Sequence, residues 1–184
     1  LLLGLAACKE EVVQDITPVE LTAETTGHFC QMNLLEHPGP KAQMHLEGLP
    51  QMPLFFSQVR DAIAYQRLPE QTHVILAIQV NDMGVPGATW DNPGIGNWID
   101  ADKAFYVLGS VREGGMGLPE AVPFGTREAA LAFAEAEGGN VMRLTDIPDH
   151  LVLAPEPEAP LADAGDEDDF RDRLRALSHP TGGG

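Results

Sequence analysis

Ala42, Met44 and Leu46 alternate with Gln43, His45 and Glu47, the two-residue period of a strand buried on one face. That pattern assigns Met44 to a core and His45 to a solvated polar face. A turn rich in proline and glycine follows, and then the apolar pair Phe55-Phe56 with Ser57 after it. Val59, Ala62 and Ile63 next recur at helical spacing, with Ser57 placed to cap the helix and Pro69 to end it. Residues 73–80 (His-Val-Ile-Leu-Ala-Ile-Gln-Val) are a continuous β-prone run.

The pattern then starts again near Trp98. Residues 104–109 (Ala-Phe-Tyr-Val-Leu-Gly) read as a strand and Gly114-Gly115-Met116-Gly117 as a turn. Pro123-Phe124-Gly125-Thr126 leads into a helix over residues 127–137, capped by Thr126 and stopped by Gly138-Gly139, and residues 141–144 close as a strand. The helix openings Phe56-Ser57-Gln58-Val59-Arg60-Asp61-Ala62 and Phe124-Gly125-Thr126-Arg127-Glu128-Ala129 are alike. The fold class expected is therefore α+β: two ββα-type units, with helices covering one side of antiparallel sheet.

The ends differ in character from this core. Leu1-Leu2-Leu3-Gly4-Leu5-Ala6-Ala7-Cys8 is apolar and uncharged, with small residues just before the cysteine. It reads as the end of a secretory signal and is similar to the lipobox of bacterial lipoproteins, which makes Cys8 the lipidated residue. The run is too short to span a bilayer, which needs ~20 apolar residues. Lys9 after the cysteine points to the outer membrane. Residues 1–8 are thus a signal remnant and lipobox, 9–24 a polar tether, 25–153 the folded domain, and 154–184 an acidic Pro/Ala-rich tail expected to be disordered. About 125 residues between tether and tail suffice for one domain with its own core. A formal net charge of -17 argues against nucleic acid as a partner.

Location sharpens the chemistry. The chain has two cysteines. With Cys8 tied to lipid, Cys30 is a free thiol in an oxidising compartment, which marks it as reactive, metal-binding or simply buried. Cys30-Gln31-Met32 places a thiol and a thioether two residues apart. On a strand the two side chains share a face, and in a tight turn they can also converge. Soft sulfur donors suit Cu(I) above other ions, and one thiolate with Cu(I) is neutral, which lowers the cost of burial. Met116, flanked by glycines, is a third sulfur on a surface loop, free to reach a ligand or to fold back on the protein. His28 and His37 flank the Cys-x-Met pair, and either imidazole could complete the site. Met52, Met83 and Met142 have no soft partner nearby in sequence. The chain lacks Cys-x-x-Cys, His-Glu-x-x-His, Gly-x-Ser-x-Gly and a phosphate-binding glycine loop. A nucleophilic Cys30 remains the competing chemistry.

His28-Phe29-Cys30-Gln31-Met32 and then Glu36-His37-Pro38-Gly39-Pro40-Lys41-Ala42-Gln43 resemble the start of the NosL family, copper-binding lipoproteins that assist nitrous oxide reductase. Ala104-Phe105-Tyr106-Val107-Leu108-Gly109-Ser110, Gly115-Met116-Gly117 and Pro123-Phe124-Gly125-Thr126-Arg127-Glu128-Ala129-Ala130 extend the resemblance over residues 25–147. It implies a lipid-anchored periplasmic Cu(I) chaperone, not an enzyme, built of paired ββα units. Its metal ligands would be Cys30, Met32 and Met116. Its partners would be the nitrous oxide reductase apoprotein, whose tetranuclear copper-sulfide centre it helps to build, and an ABC-type membrane transporter complex supplying copper or sulfur. Gln31 departs from the small residue more usual there, and the acidic tail has no counterpart. The alternative is a Cys30-dependent thiol hydrolase or organometal lyase of related fold.

Overall fold

The computed structural model describes residues 13–153. Cys8 and the acidic tail, for which a lipid anchor and disorder are expected, lie outside the described residues. Within them the chain forms β1 (Ala42–Leu46), β2 (Leu54–Phe56), α1 (Val59–Arg67), β3 (Ile75–Val80), β4 (Ile99–Asp100), β5 (Phe105–Leu108), β6 (Val122–Phe124), α2 (Arg127–Glu137) and β7 (Asn140–Arg143). One sheet has the order β2-β1-β3-β4 and the other β6-β5-β7, and every pairing is antiparallel. In both, the first strand of the unit is central, its hairpin partner lies on one side, and the strand after the helix lies on the other. The α+β fold of two related units is what the pattern implied, and each unit carries one further strand, making it ββαβ.

Helix α1 packs on β1, β2 and β3, and α2 on β5, β6 and β7. Ala42, Met44, Phe56, Val59, Ala62 and Ile63 are buried in the first unit; Val107, Val122, Phe124 and Ala130 form the centre of the second. Met44 is core, as its face of the strand implied. Met83 packs against the second centre. Strand β6 carries Pro123, which an edge strand tolerates because its missing N–H faces away from the ladder. Its carbonyl instead accepts Met83 N at 2.9 Å.

Three expectations are corrected here. Ser57 does not cap α1: the N-cap is Gln58, whose side chain makes no capping bond. The amide of Arg60, two residues into the helix, is taken instead by Glu120 Oε1 at 2.9 Å. Thr126, in contrast, caps α2 by accepting Ala129 N, and Gly138 ends it at φ 78°.

His45 is the second. It is not solvated but fully buried, with Nε2 3.1 Å from Gln79 Oε1. The cause is the polar lead. Its residues 13–24 lie across the face of the sheet that carries Gln43, His45 and Gln79, so this stretch is part of the folded body and not a tether. Val19 exchanges two hydrogen bonds with the Gln43 amide, at 2.8 and 3.2 Å, as a neighbouring strand would with backbone. Gln79 Nε2 donates to Ile16 O, Gln14 Nε2 donates to Leu46 O, and Gln14 Oε1 accepts Gly48 N. Glu20 receives Gly96 N and the Trp98 indole. Burial pushes His45 toward its neutral form, which its Gln79 bond and Asp15 only partly oppose.

Candidate metal centre

Cys30 and Met32 do not lie on a strand. They sit in a tight turn closed by the bridge Thr26↔Asn33, just ahead of a short 3-10 turn, Leu34–Glu36. Gln31 takes φ 55°, a left-handed conformation that glycine or asparagine adopts more cheaply. Its own side chain compensates by donating to His28 O at 2.7 Å, while its backbone N–H reaches Gly27 O at 2.9 Å. The turn closes when Gly27 N donates to Met32 O at 3.0 Å, and the Cys30 thiol is directed at the same carbonyl, 3.9 Å away. Gly27 is required by this packing, since a Cβ there would fall 2.4 Å from Cys30 Sγ. Cys30 is half-buried, and Met32 is 42 % exposed.

Met116 comes from the other unit. Its loop is pinched by the bridge Glu113↔Pro119 and by Gly114 N donating to Leu118 O. Glycines are needed on the inner side, where a Cβ at Gly115 would fall 2.7 Å from His37 Cβ and 3.1 Å from Pro38 O. Met116 N donates to Gln58 Oε1 at 2.8 Å. On the other side of the site, His28 N donates to Phe55 O at 2.6 Å. Both sulfur-bearing loops are therefore moored to one stretch, β2 and the residues that lead into α1. Phe55 and Gln58 are three residues apart, which is at most ~10 Å along the chain.

His37 spans the two loops. Its Nδ1 lies 3.0 Å from Gly115 O. A carbonyl can only accept, so Nδ1 carries a hydrogen, and in the neutral ring the lone pair is on Nε2. That Nε2 is buried and has no hydrogen-bond partner. A hydrogen bond from one ring nitrogen to a carbonyl, with the other nitrogen free, is how metal-binding histidines are oriented. His28 is used differently. Its ring meets Phe56 and Tyr65 edge-on, at centroid distances of 5.8 and 5.1 Å, with Phe29 beside it. The structure thus moors the loops that carry Cys30, Met32 and Met116 to one stretch of chain, sets His37 against the Met116 loop, and holds His28 in an aromatic cluster.

Three buried polar residues that sequence reasoning did not place at the site surround this junction. Lys41 Nζ donates to Pro38 O at 3.2 Å and to Gly39 O, steadying the turn that follows His37. Burial pushes its amine down to about 8, opposed by Glu120 and Cys30. Glu120 is pushed up to about 8 by burial, against the hydrogen bonds it accepts from Arg60 and Ala121. Gln58 is fully buried. In sequence each reads as an ordinary polar surface residue, and no local signal separates them from their neighbours.

Among the described residues no group of three His, Cys, Asp or Glu side chains is placed to hold an ion together. The donors gathered here are instead one thiol, two thioethers and one imidazole, a set with little attraction for hard cations.

The family model described as NosL matches residues 18–152. The copper-binding lipoprotein NosL of Achromobacter cycloclastes is 65 % identical over 184 residues, covering 97 % of this chain and 92 % of that protein. The protein of the same name from Stutzerimonas stutzeri is 33 % identical over 152 residues, 81 % of this chain and 76 % of its own length. Among solved structures, the copper chaperone NosL from Shewanella denitrificans is similar with a TM-score of 0.63 and 29 % identity, over 69 % of this chain and 92 % of that one. By the match over its whole folded region and by these relatives, the chain belongs to the NosL family.

Proposed function

We propose that this protein is a lipid-anchored Cu(I) carrier of the periplasm, attached through Cys8, that holds one copper per chain and hands it on. The ligands are Cys30 Sγ and the thioethers of Met32 and Met116, with His37 Nε2 as the fourth donor. The observation that carries this reading is the mooring of two sulfur-bearing loops, from different units, on one strand–helix junction, with a buried unpartnered imidazole nitrogen between them. The names of the relatives, copper-binding lipoprotein and copper chaperone, support it.

The site suits a carrier more than a store. A single thiolate neutralises Cu(I) and leaves no net charge to bury. Both methionine residues are about two-fifths exposed, so the thiols or imidazoles of an acceptor can approach and replace them one at a time. The recipient is the apoprotein of nitrous oxide reductase, for assembly of its tetranuclear copper-sulfide centre. An ABC-type membrane transporter complex supplies copper or sulfur, and the anchor is in the outer membrane. Catalysis by Cys30 has less support, because its sulfur is directed at a backbone carbonyl, which cannot take up a proton.

Anaerobic Cu(I) titration of soluble protein beginning at Lys9, against a strong chelator, tests the reading. One equivalent should bind, and C30S should bind none. Binding that C30S leaves intact would overturn the proposal. M116I should keep the fold, since the loop is held by backbone and glycine contacts, but weaken Cu(I) by at least about tenfold, the equivalent of ~1.4 kcal/mol. Equal affinity in M116I would remove Met116 from the ligand set.

A further inference from the structure

Gln58 is the N-cap of α1, the position from which a side chain ordinarily folds back to cap the helix. Here Glu120 has taken that duty from the far side of the Met116 loop. Gln58 is thereby free to leave its helix, and its fully buried amide makes two specific bonds instead. Oε1 accepts the Met116 backbone N–H at 2.8 Å, and Nε2 donates to Asp61 Oδ1 at 3.3 Å. The second bond fixes which end of the amide faces Met116, because a carboxylate takes only the NH2 end. The loop has been shaped to let this happen. At Gly114 a Cβ would fall 2.8 Å from both Gln58 Cγ and Oε1, and 2.5 Å from Glu120 Oε2.

We propose that Gln58 is the positioning residue of the copper site: a latch, oriented by Asp61, that holds the Met116 backbone so that its thioether reaches the ion bound at Cys30. The inference rests on the ligand set proposed above. Gln58 touches no reacting atom; it acts through Met116. With the latch closed the third sulfur is delivered and copper is retained. With it open the loop tip is held by its own turn and by His37 Nδ1 at Gly115 O alone, Met116 N is released, its thioether withdraws, and the ion is left on the Cys30 turn, accessible to an acceptor. The device lets one hydrogen bond govern the change from holding to handing over.

The test uses protein labelled at methionine methyl carbons and titrated anaerobically with Cu(I), read by NMR and by chelator competition. In the native chain the methyl signals of Met32 and Met116 should both shift on addition of one equivalent. In Q58L, which keeps apolar bulk but cannot accept, the Met32 signal should still shift and the Met116 signal should not, with affinity reduced roughly five- to tenfold, as expected for one lost hydrogen bond. The exchanged pair Q58E with D61N keeps the total charge and both bonds, since a carboxylate accepts from Met116 N and an amide now donates to it. It should restore the Met116 shift and the affinity. A shift of Met116 in Q58L equal to that in the native chain would overturn the latch, and so would failure of the exchanged pair to restore it while both proteins keep native thermal stability. Absence of a Met116 shift in the native chain would instead overturn the ligand set itself, and the two failures are distinct.

Discussion

At the scale of single residues, the site depends on positions where a side chain would be in the way. Gly27 is the clearest. Its missing Cβ makes room for Cys30 Sγ, with Leu34 Cδ2 next at 3.2 Å. A thiol is the end of a short side chain and can rotate away, so the fold should accept the change at a cost of about 1 kcal/mol or less, while the sulfur leaves the place where the other donors meet. We expect G27A to unfold within a few degrees of the native protein and to bind Cu(I) about tenfold more weakly; native affinity in the same competition titration would show that the thiol does not need its present rotamer. The residue types themselves were legible in the sequence. Cys30, Met32 and Met116 stood out because few side chains present soft sulfur, and His37 because it flanked them. What could not be read was the placement: the turn at Gln31, the Gly115 carbonyl against His37 Nδ1, and the aromatic cluster that takes up His28.

At the scale of elements, periodicity located the central strands and both helices, because each buries one face and polar residues mark the other. It missed β4 and β6, which are two and three residues long and, in β6, interrupted by Pro123. It also placed the α1 cap on Ser57, since a cap supplied by Glu120 across 60 residues leaves no local trace. That remote cap has a consequence for pH. Glu120 is raised from an ordinary value of 4.5 to about 8, chiefly by burial. Below about pH 4.5 it is protonated whether the chain is folded or not. Between there and about pH 8 the unfolded chain has released a proton that the folded chain keeps, so this group's contribution to stability falls as pH rises through that window and is level above it. Lys41 has the opposite limb: lowered to about 8 from 10.5, again by burial, it makes stability climb between those values. We expect E120Q, which cannot ionise, to lose the falling limb and K41M the rising one, measured as urea unfolding free energy from pH 4.5 to 10. If E120Q declines as steeply as the native chain between pH 4.5 and 8, Glu120 does not keep its proton on folding.

Across the whole molecule, the largest departure from the sequence reading is the polar lead. Residues 9–24 have no periodic apolar pattern, and a chain with nothing to bury reads as a tether. Its described part, residues 13–24, holds by another means, lending backbone groups to the glutamine side chains Gln43 and Gln79, which stand out from the sheet and need partners once covered. Side-chain amides present a donor and an acceptor as a peptide group does, but they carry no strand period, so the strap is invisible to any pattern search. It also runs straight into the copper turn, where Asn33 Nδ2 donates to Ala23 O and Leu34 N to Thr25 O. Strap and Cys30 turn are therefore one continuous structure. Removing the strap would expose Gln43, His45 and Gln79 to water and break seven hydrogen bonds made by Gln14, Ile16, Val19 and Glu20. At roughly 0.5–1 kcal/mol net for each of these partly exposed bonds, the loss is about 3.5–7 kcal/mol, against a total of ~5–15 kcal/mol for a domain. Soluble protein beginning at Leu21 should thus melt on the order of 10–20 °C below protein beginning at Lys9, and its copper site should loosen with it because the chain entering the Cys30 turn is no longer held. A free tether would predict identical melting curves by circular dichroism, and that result would return these residues to the linker.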